Sequence, residues 1–240
     1  MECTTWSPAP ALASGAKANG APPKDELLVT FDAKRSVRVL VVPALFDEAN
    51  KLRRFTLSVM RALDEAGVDS ALPDWPGCHE SLALLSRQSL TRWRSCADQV
   101  AQDFGATHVL SLRAGALIAP VDLPGWRYAA VDGAKTLSGM LRAQMISERE
   151  AGRDATRADL MERGRSEGLV LGGWPLGPAL VSELETATAP EATDQFAIEQ
   201  AALGGSGLWL RAEPDDNAEQ AAALASIIIN AVSDHGEGSS

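Results

Sequence analysis

Three histidines (His79, His108, His235) and three cysteines (Cys3, Cys78, Cys96) are the groups best suited to acid–base, nucleophilic or metal chemistry. No pair of them has the spacing of a zinc site, so neither a metal nor a cofactor is expected. The most informative position is elsewhere. His108-Val109-Leu110-Ser111-Leu112-Arg113-Ala114-Gly115-Ala116-Leu117 reads as a strand, a sharp turn and a helix. A turn of this kind carries a nucleophile when it reads Gly-x-Ser-x-Gly, because its strained tip holds the serine hydroxyl out at the end of the sheet. Here the five residues are Ser111-Leu112-Arg113-Ala114-Gly115. A guanidinium stays charged and cannot attack a carbonyl.

The remaining chemistry is thin. A base working with such a turn follows the last strand, and only His235 lies late enough; it falls beyond the closing helix and reads as a solvated terminal residue. His108 sits inside a strand and reads as a core or edge histidine. Ser111, Cys78 and His79 are the weak catalytic candidates. Ser111 shares the side of Arg113 by strand alternation, but a serine bonded to backbone is the simpler reading. Cys78 and His79 are adjacent, so they do not face one another as a dyad.

Arg113 has two readings. In one it pairs with carboxylates at neighbouring strand ends, with Asp47, Glu48, Asp74 and Asp132 as candidates, because an unpaired buried charge is costly. In the other it grips an anionic ligand bidentately. Lys51, Arg53 and Arg54 open the helix after the first strand, at the positive end of its dipole. A phosphate or a sugar carboxylate would suit them. Trp75, Trp126, Trp174 and Trp209 are placed to stack on sugars or to pack a core.

The elements that must carry these residues alternate. Residues 37–45 form an apolar run typical of a strand buried on both faces. In the helix at 50–66, Leu52, Phe55, Val59 and Leu63 recur at spacings of three and four. Strands are expected at 68–72, 107–112, 127–131 and 207–211, with helices at 89–104 and 219–232. Strands separated by helices of this length imply a mostly parallel sheet, with ligands at the carboxyl ends of the strands. The expected division is a flexible segment at 1–24, a first core part at 25–134, a helical cap at 135–190, a last core part at 191–233 and a flexible tail at 234–240.

At 240 residues the chain can bury a full α/β core. Its net charge of −10 argues against nucleic acid and against anionic membranes. No stretch reaches the roughly 18 apolar residues of a membrane span, and the start lacks the pattern of a signal peptide. A cytoplasmic protein is expected. Its partners would be a small anionic or sugar-derived ligand, a protein, or further copies of itself.

Three segments carry a family resemblance. Val42-Pro43-Ala44-Leu45-Phe46-Asp47-Glu48-Ala49-Asn50-Lys51-Leu52-Arg53-Arg54 is similar to the post-strand motif of the exosortase A system-associated hydrolases, ortholog type 2. Pro73-Asp74-Trp75-Pro76-Gly77-Cys78-His79-Glu80-Ser81 resembles a second motif of that group, with His79-Glu80 in place of Gly-Asp. Leu112-Arg113-Ala114-Gly115-Ala116-Leu117 resembles its elbow, where arginine also stands at the nucleophile position. The resemblance implies an α/β-hydrolase fold and a setting beside exopolysaccharide and protein-sorting genes in Gram-negative bacteria. It implies a reaction less firmly, since the hydrolase label of that group follows superfamily membership. The expected function is therefore a ligand- or partner-binding protein without the serine nucleophile. The alternative is an active hydrolase of ester or related acyl bonds with a displaced nucleophile.

Overall fold

The computed structural model describes residues 1–9 and 25–237, with side chains described as far as residue 233. The main sheet is built from β1 (Glu2–Trp6), β2 (Glu26–Phe31), β3 (Arg38–Val42), β4 (Asp69–Pro73), β5 (His108–Leu112), β6 (Gly125–Tyr128) and, after a two-stranded hairpin of β7 (Leu169–Leu171) and β8 (Trp174–Leu176), β9 (Gln195–Ile198). Its order is β1-β2-β4-β3-β5-β6-β9. β3, β4, β5, β6 and β9 are parallel, whereas β1 and β2 extend the sheet as an antiparallel ribbon.

Strand periodicity explains the layers. In β3, Val39 and Val41 point into one apolar cluster and Leu40 and Val42 into the other. The Val39 side is covered by α1 (Asp47–Glu65), through Leu52, Phe55, Val59 and Leu63, and by α6 (Ala218–Glu237), through Leu224, Ala225 and Ile228. The Leu40 side is covered by α2 (Leu90–Phe104), through Trp93, Ala97 and Val100. Ser89 caps α2 by accepting from the Arg92 N–H at 3.0 Å, and Gly105 ends it at φ 69°. Between β6 and β9 the chain forms α3 (Gly133–Glu150), α4 (Arg157–Ser166), the β7–β8 hairpin and α5 (Pro178–Thr186), which pack onto the α2 side.

Several expectations are corrected. Residues 2–6 are a strand rather than part of a flexible lead-in; pairing with β2 satisfies their backbone, and Trp6 anchors them in the core at 7% exposure. Residues 10–24 lie outside the described residues. The stretch expected as the fifth strand, 207–211, is a single 3₁₀ turn at Leu208–Leu210, and the last strand is β9 instead. The turn after β5 continues as a 3₁₀ helix, Arg113–Leu117, not a long helix. α6 runs to Glu237, into the segment expected as tail, so His235 is helical in its backbone; its side chain lies outside the described residues.

Candidate functional site

The elbow geometry survives with arginine in the serine's place. Arg113 sits at φ 53°, a left-handed conformation that side chains other than glycine's seldom adopt. Gly115 is required for a second reason. A Cβ there would stand 2.4 Å from the Pro43 carbonyl oxygen and 2.7 Å from that of Val42, so the turn after β5 closes directly on the end of β3.

Each nitrogen of the Arg113 guanidinium donates a hydrogen bond. Its Nε and Nη2 each donate to Glu48, to Oε2 and Oε1, both at 3.0 Å. Its Nη1 donates to the Ala129 carbonyl at 2.7 Å, and its plane lies 4.0 Å from the centre of a Trp209 ring. Trp209 comes from the 3₁₀ turn at Leu208–Leu210 and meets Tyr128 edge to face. Tyr128 donates its hydroxyl to Gln200 Oε1, just past β9. Burial holds the Tyr128 phenol up at about 12, against the opposing pull of Arg113. Arg113 is 9% exposed, so its charge is packed between two strand ends rather than presented in an open crevice.

The other charged candidates, Asp132 apart, are also paired. Lys51 bonds Asp47 one helical turn away at 2.8 Å, Arg53 donates to Asp74 Oδ1 at 2.8 Å, and Arg54 meets Asp216 at 3.0 Å. Asp132 is exposed at the N-cap of α3, without a side-chain cap bond, and the Ala129 carbonyl holds the place expected for it beside Arg113. Of the four candidate partners for Arg113, Glu48 alone is bonded to it.

The weak nucleophile candidates are sequestered. Ser111 is fully buried, and its Oγ donates to the Trp126 carbonyl at 3.4 Å. Cys78 is 4% exposed; burial, then Asp74 and Glu26, raise its thiol far above the ordinary range, which disfavours the thiolate. His79 stands at φ 46° with Nδ1 3.5 Å from Asp74 Oδ1, and burial lowers its pKa from the usual imidazole value. His108 stacks on Trp126 with ring centres 5.6 Å apart. Trp75 is 1% exposed, and Trp174 meets Phe46, itself buried at φ 57°, edge to face. Among the described residues no cluster of three or more His, Cys, Asp or Glu is placed to hold a metal ion. No helix there is long and apolar enough to cross a membrane.

Sequence reasoning missed the Ala129 carbonyl and Glu26. A backbone acceptor carries no residue-type signal, and Glu26 lies in a strand that was not expected.

The strand order, with an elbow at the end of β5 and helices on both faces, is matched by solved structures over almost the whole chain. Est1E from Butyrivibrio proteoclasticus is 12% identical with a TM-score of 0.53, covering 88% of this chain and 94% of that one. The chain has the α/β-hydrolase fold. The Paleococcus ferrophilus monoacylglycerol lipase is 14% identical with a TM-score of 0.50, covering 86% and 99%. A thermophilic esterase from Thermogutta terrifontis is 10% identical with a TM-score of 0.50, covering 99% of each chain. No protein-family model and no curated protein matches the chain in sequence. At these identities an α/β-hydrolase likeness speaks for architecture and not for reaction.

Proposed function

We propose that this α/β-hydrolase-fold protein is catalytically degenerate and acts by binding a sugar-derived or anionic ligand, or a partner protein, in exopolysaccharide or exosortase-associated metabolism. The observation that carries the reading is the elbow tip, where Arg113 is locked bidentately to Glu48 and stacked on Trp209. A triad needs nucleophile, base and acid within hydrogen-bond reach. The only histidines whose side chains are described are His79, in the loop after β4, and His108, in β5. The cellular setting rests on the resemblance of the three motifs, and the segment from α3 to α5 serves as the cap.

Fluorophosphonate labelling of the folded protein, read by peptide mass spectrometry, tests this. The expected result is no labelled serine. Stoichiometric labelling of Ser111 would overturn the reading in favour of the second one, a hydrolase with a displaced nucleophile. That reading keeps Cys78 as its other candidate, to be checked by turnover of activated thioesters in Cys78→Ala. For the ligand arm, phosphate titration of the melting temperature asks whether an anion can displace Glu48 from Arg113: a rise in the wild type that is lost in Arg113→Ala supports this arm, and no rise in the wild type overturns it.

A further inference from the structure

A second polar cluster lies away from the elbow, where β1, β2 and β4 meet the loop at 75–84. Glu26, at the start of β2, and Asp74, just past β4, are each 1% exposed. Glu26 Oε1 accepts from the Ser81 hydroxyl at 2.9 Å, and Asp74 Oδ1 from Arg53 Nη1 at 2.8 Å. Their second oxygens, Glu26 Oε2 and Asp74 Oδ2, have no hydrogen-bond partner among the described residues. Two tryptophans wall the cluster: Trp6 opposes Glu26 in the β1–β2 register and meets Trp75 edge to face at 6.4 Å, and the indole N–H of each is buried without a partner among the described residues.

Among the described residues, few charged and titratable groups face Glu26. Asp25 precedes it on its own segment, Asp74 comes from the end of β4, and Cys78 from the loop. Cys96 faces it from α2, itself influenced by Arg92. His79, with Glu80 beside it, and Arg53 from α1 act on Asp74. Among the described residues, Arg53 is the cation that hydrogen-bonds these two buried carboxylates, and it bonds only Asp74. A second uncompensated charge in such a place is strongly disfavoured.

We propose that Glu26 keeps its proton beside Asp74 in the closed protein, and that losing this proton to solvent lifts the 77–84 loop and exposes Cys78. The loop is tied directly to the carboxyl. Ser81 Oγ, which donates to Glu26, also accepts from the Gly77 N–H at 2.7 Å and the Ala83 N–H at 3.1 Å, so the loop is folded around a hydroxyl anchored on the carboxyl. Ionised Glu26 regains hydration when that fold opens. Burial pushes Glu26 up to about 7; the Ser81 bond pulls it down, and Asp74 and Asp25 push it up. The device thus operates across neutral pH, with Cys78, two residues before Glu80, as the thiol it gates.

Alkylation by iodoacetamide with site-resolved mass spectrometry tests this, because exposed Cys3 on the same chain serves as the internal reference. A carboxyl at about 7 when closed and near its ordinary value when open shifts the opening equilibrium about tenfold between pH 6 and pH 8. The Cys78/Cys3 rate ratio is therefore expected to rise about tenfold over that range in the wild type and to stay flat in Glu26→Gln. The same pH course in both proteins would overturn the proposal. If Glu26→Gln does not fold, ¹³C NMR of the wild-type Glu26 carboxyl decides: a midpoint near 7 supports it, and one at the ordinary glutamate value overturns it.

Discussion

Arg113 and Glu48 close on each other through two parallel hydrogen bonds of 3.0 Å, joining the turn after β5 to the first turn of α1. Where a serine elbow would leave an open hydroxyl, this chain has a salt bridge, with the Arg113 side chain 11% exposed. An anionic ligand at Arg113 would have to displace a carboxylate already seated with matching fork geometry.

Breaking this pair from one side should cost more than removing its cation. Glu48→Ala leaves a mostly buried guanidinium with only the Ala129 carbonyl and the Trp209 face. A loss of about 2–3 kcal/mol is expected, below the full cost for a buried pair because Glu48 is partly exposed. Arg113→Met keeps much of the volume and should lose less. Urea unfolding of the two variants checks the order; a larger loss in Arg113→Met would contradict it.

Gly115→Ala should be among the most damaging single changes. The new methyl would meet two backbone carbonyl oxygens at 2.4 and 2.7 Å, and backbone of β3 cannot yield as a flexible side chain can. Overpacking of this kind costs on the order of 3 kcal/mol or more. Thermal unfolding reads it, with Gly139→Ala as control, since nothing lies within 4 Å of a Cβ at that helical position.

Asp69 anchors the loop before β3. It is fully buried and accepts from the Ala33 and Arg35 backbone N–H groups at 3.0 and 2.9 Å, and from the Arg35 and Arg38 guanidinium groups at 3.1 and 2.8 Å. Asp69→Asn keeps the shape but turns an amide toward donors and leaves Arg38 with Asp32 as its carboxylate partner. A loss of about 3 kcal/mol is expected by chemical denaturation. A loss under about 1 kcal/mol would show that the network contributes little.

The pH dependence of stability should carry Glu26. Its folded pKa, about 7, lies above its ordinary value of 4.5, so the folded chain binds the proton more tightly. Stability from this group is intact below 4.5 and falls as pH rises toward 7 and beyond. His79 acts oppositely: its lowered pKa disfavours the folded state as pH falls below the usual imidazole value. Comparing variants isolates the first effect. Glu26→Gln should gain on wild type by about 2–3 kcal/mol between pH 4.5 and pH 8, and a constant difference across that range would refute it.

Much of the architecture was legible because it follows from local periodicity. The recurrence of Leu52, Phe55, Val59 and Leu63 specifies one buried face whatever packs on it, and α1, α2 and α6 all form close to their expected positions. The doubly apolar run of β3 implies a sheet covered on both faces, and both layers are present. The elbow was legible for the same reason: strand, arginine and glycine lie within five residues.

Other features depend on contacts between distant segments. Residues 207–211 are as apolar as a strand, yet Leu208–Leu210 turns and delivers Trp209 to Arg113, while the less apolar Gln195–Ile198 pairs with β6. Strand pairing is settled by which backbone reaches an open edge, which a four-residue segment does not encode alone. β1 and β2 were missed likewise, since each acquires its partner only in the folded sheet.

The residue types alone determined that Arg113 could not be a nucleophile and that its charge needed a partner. Among Asp47, Glu48, Asp74 and Asp132 the sequence drew no distinction. The tertiary structure chose Glu48, because the first turn of α1 aims that side chain across the end of β3, while Asp47 pairs with Lys51, Asp74 with Arg53, and Asp132 remains at the surface. Charge is a property of composition, whereas which opposite charge lies within 3 Å is a property of the assembled sheet.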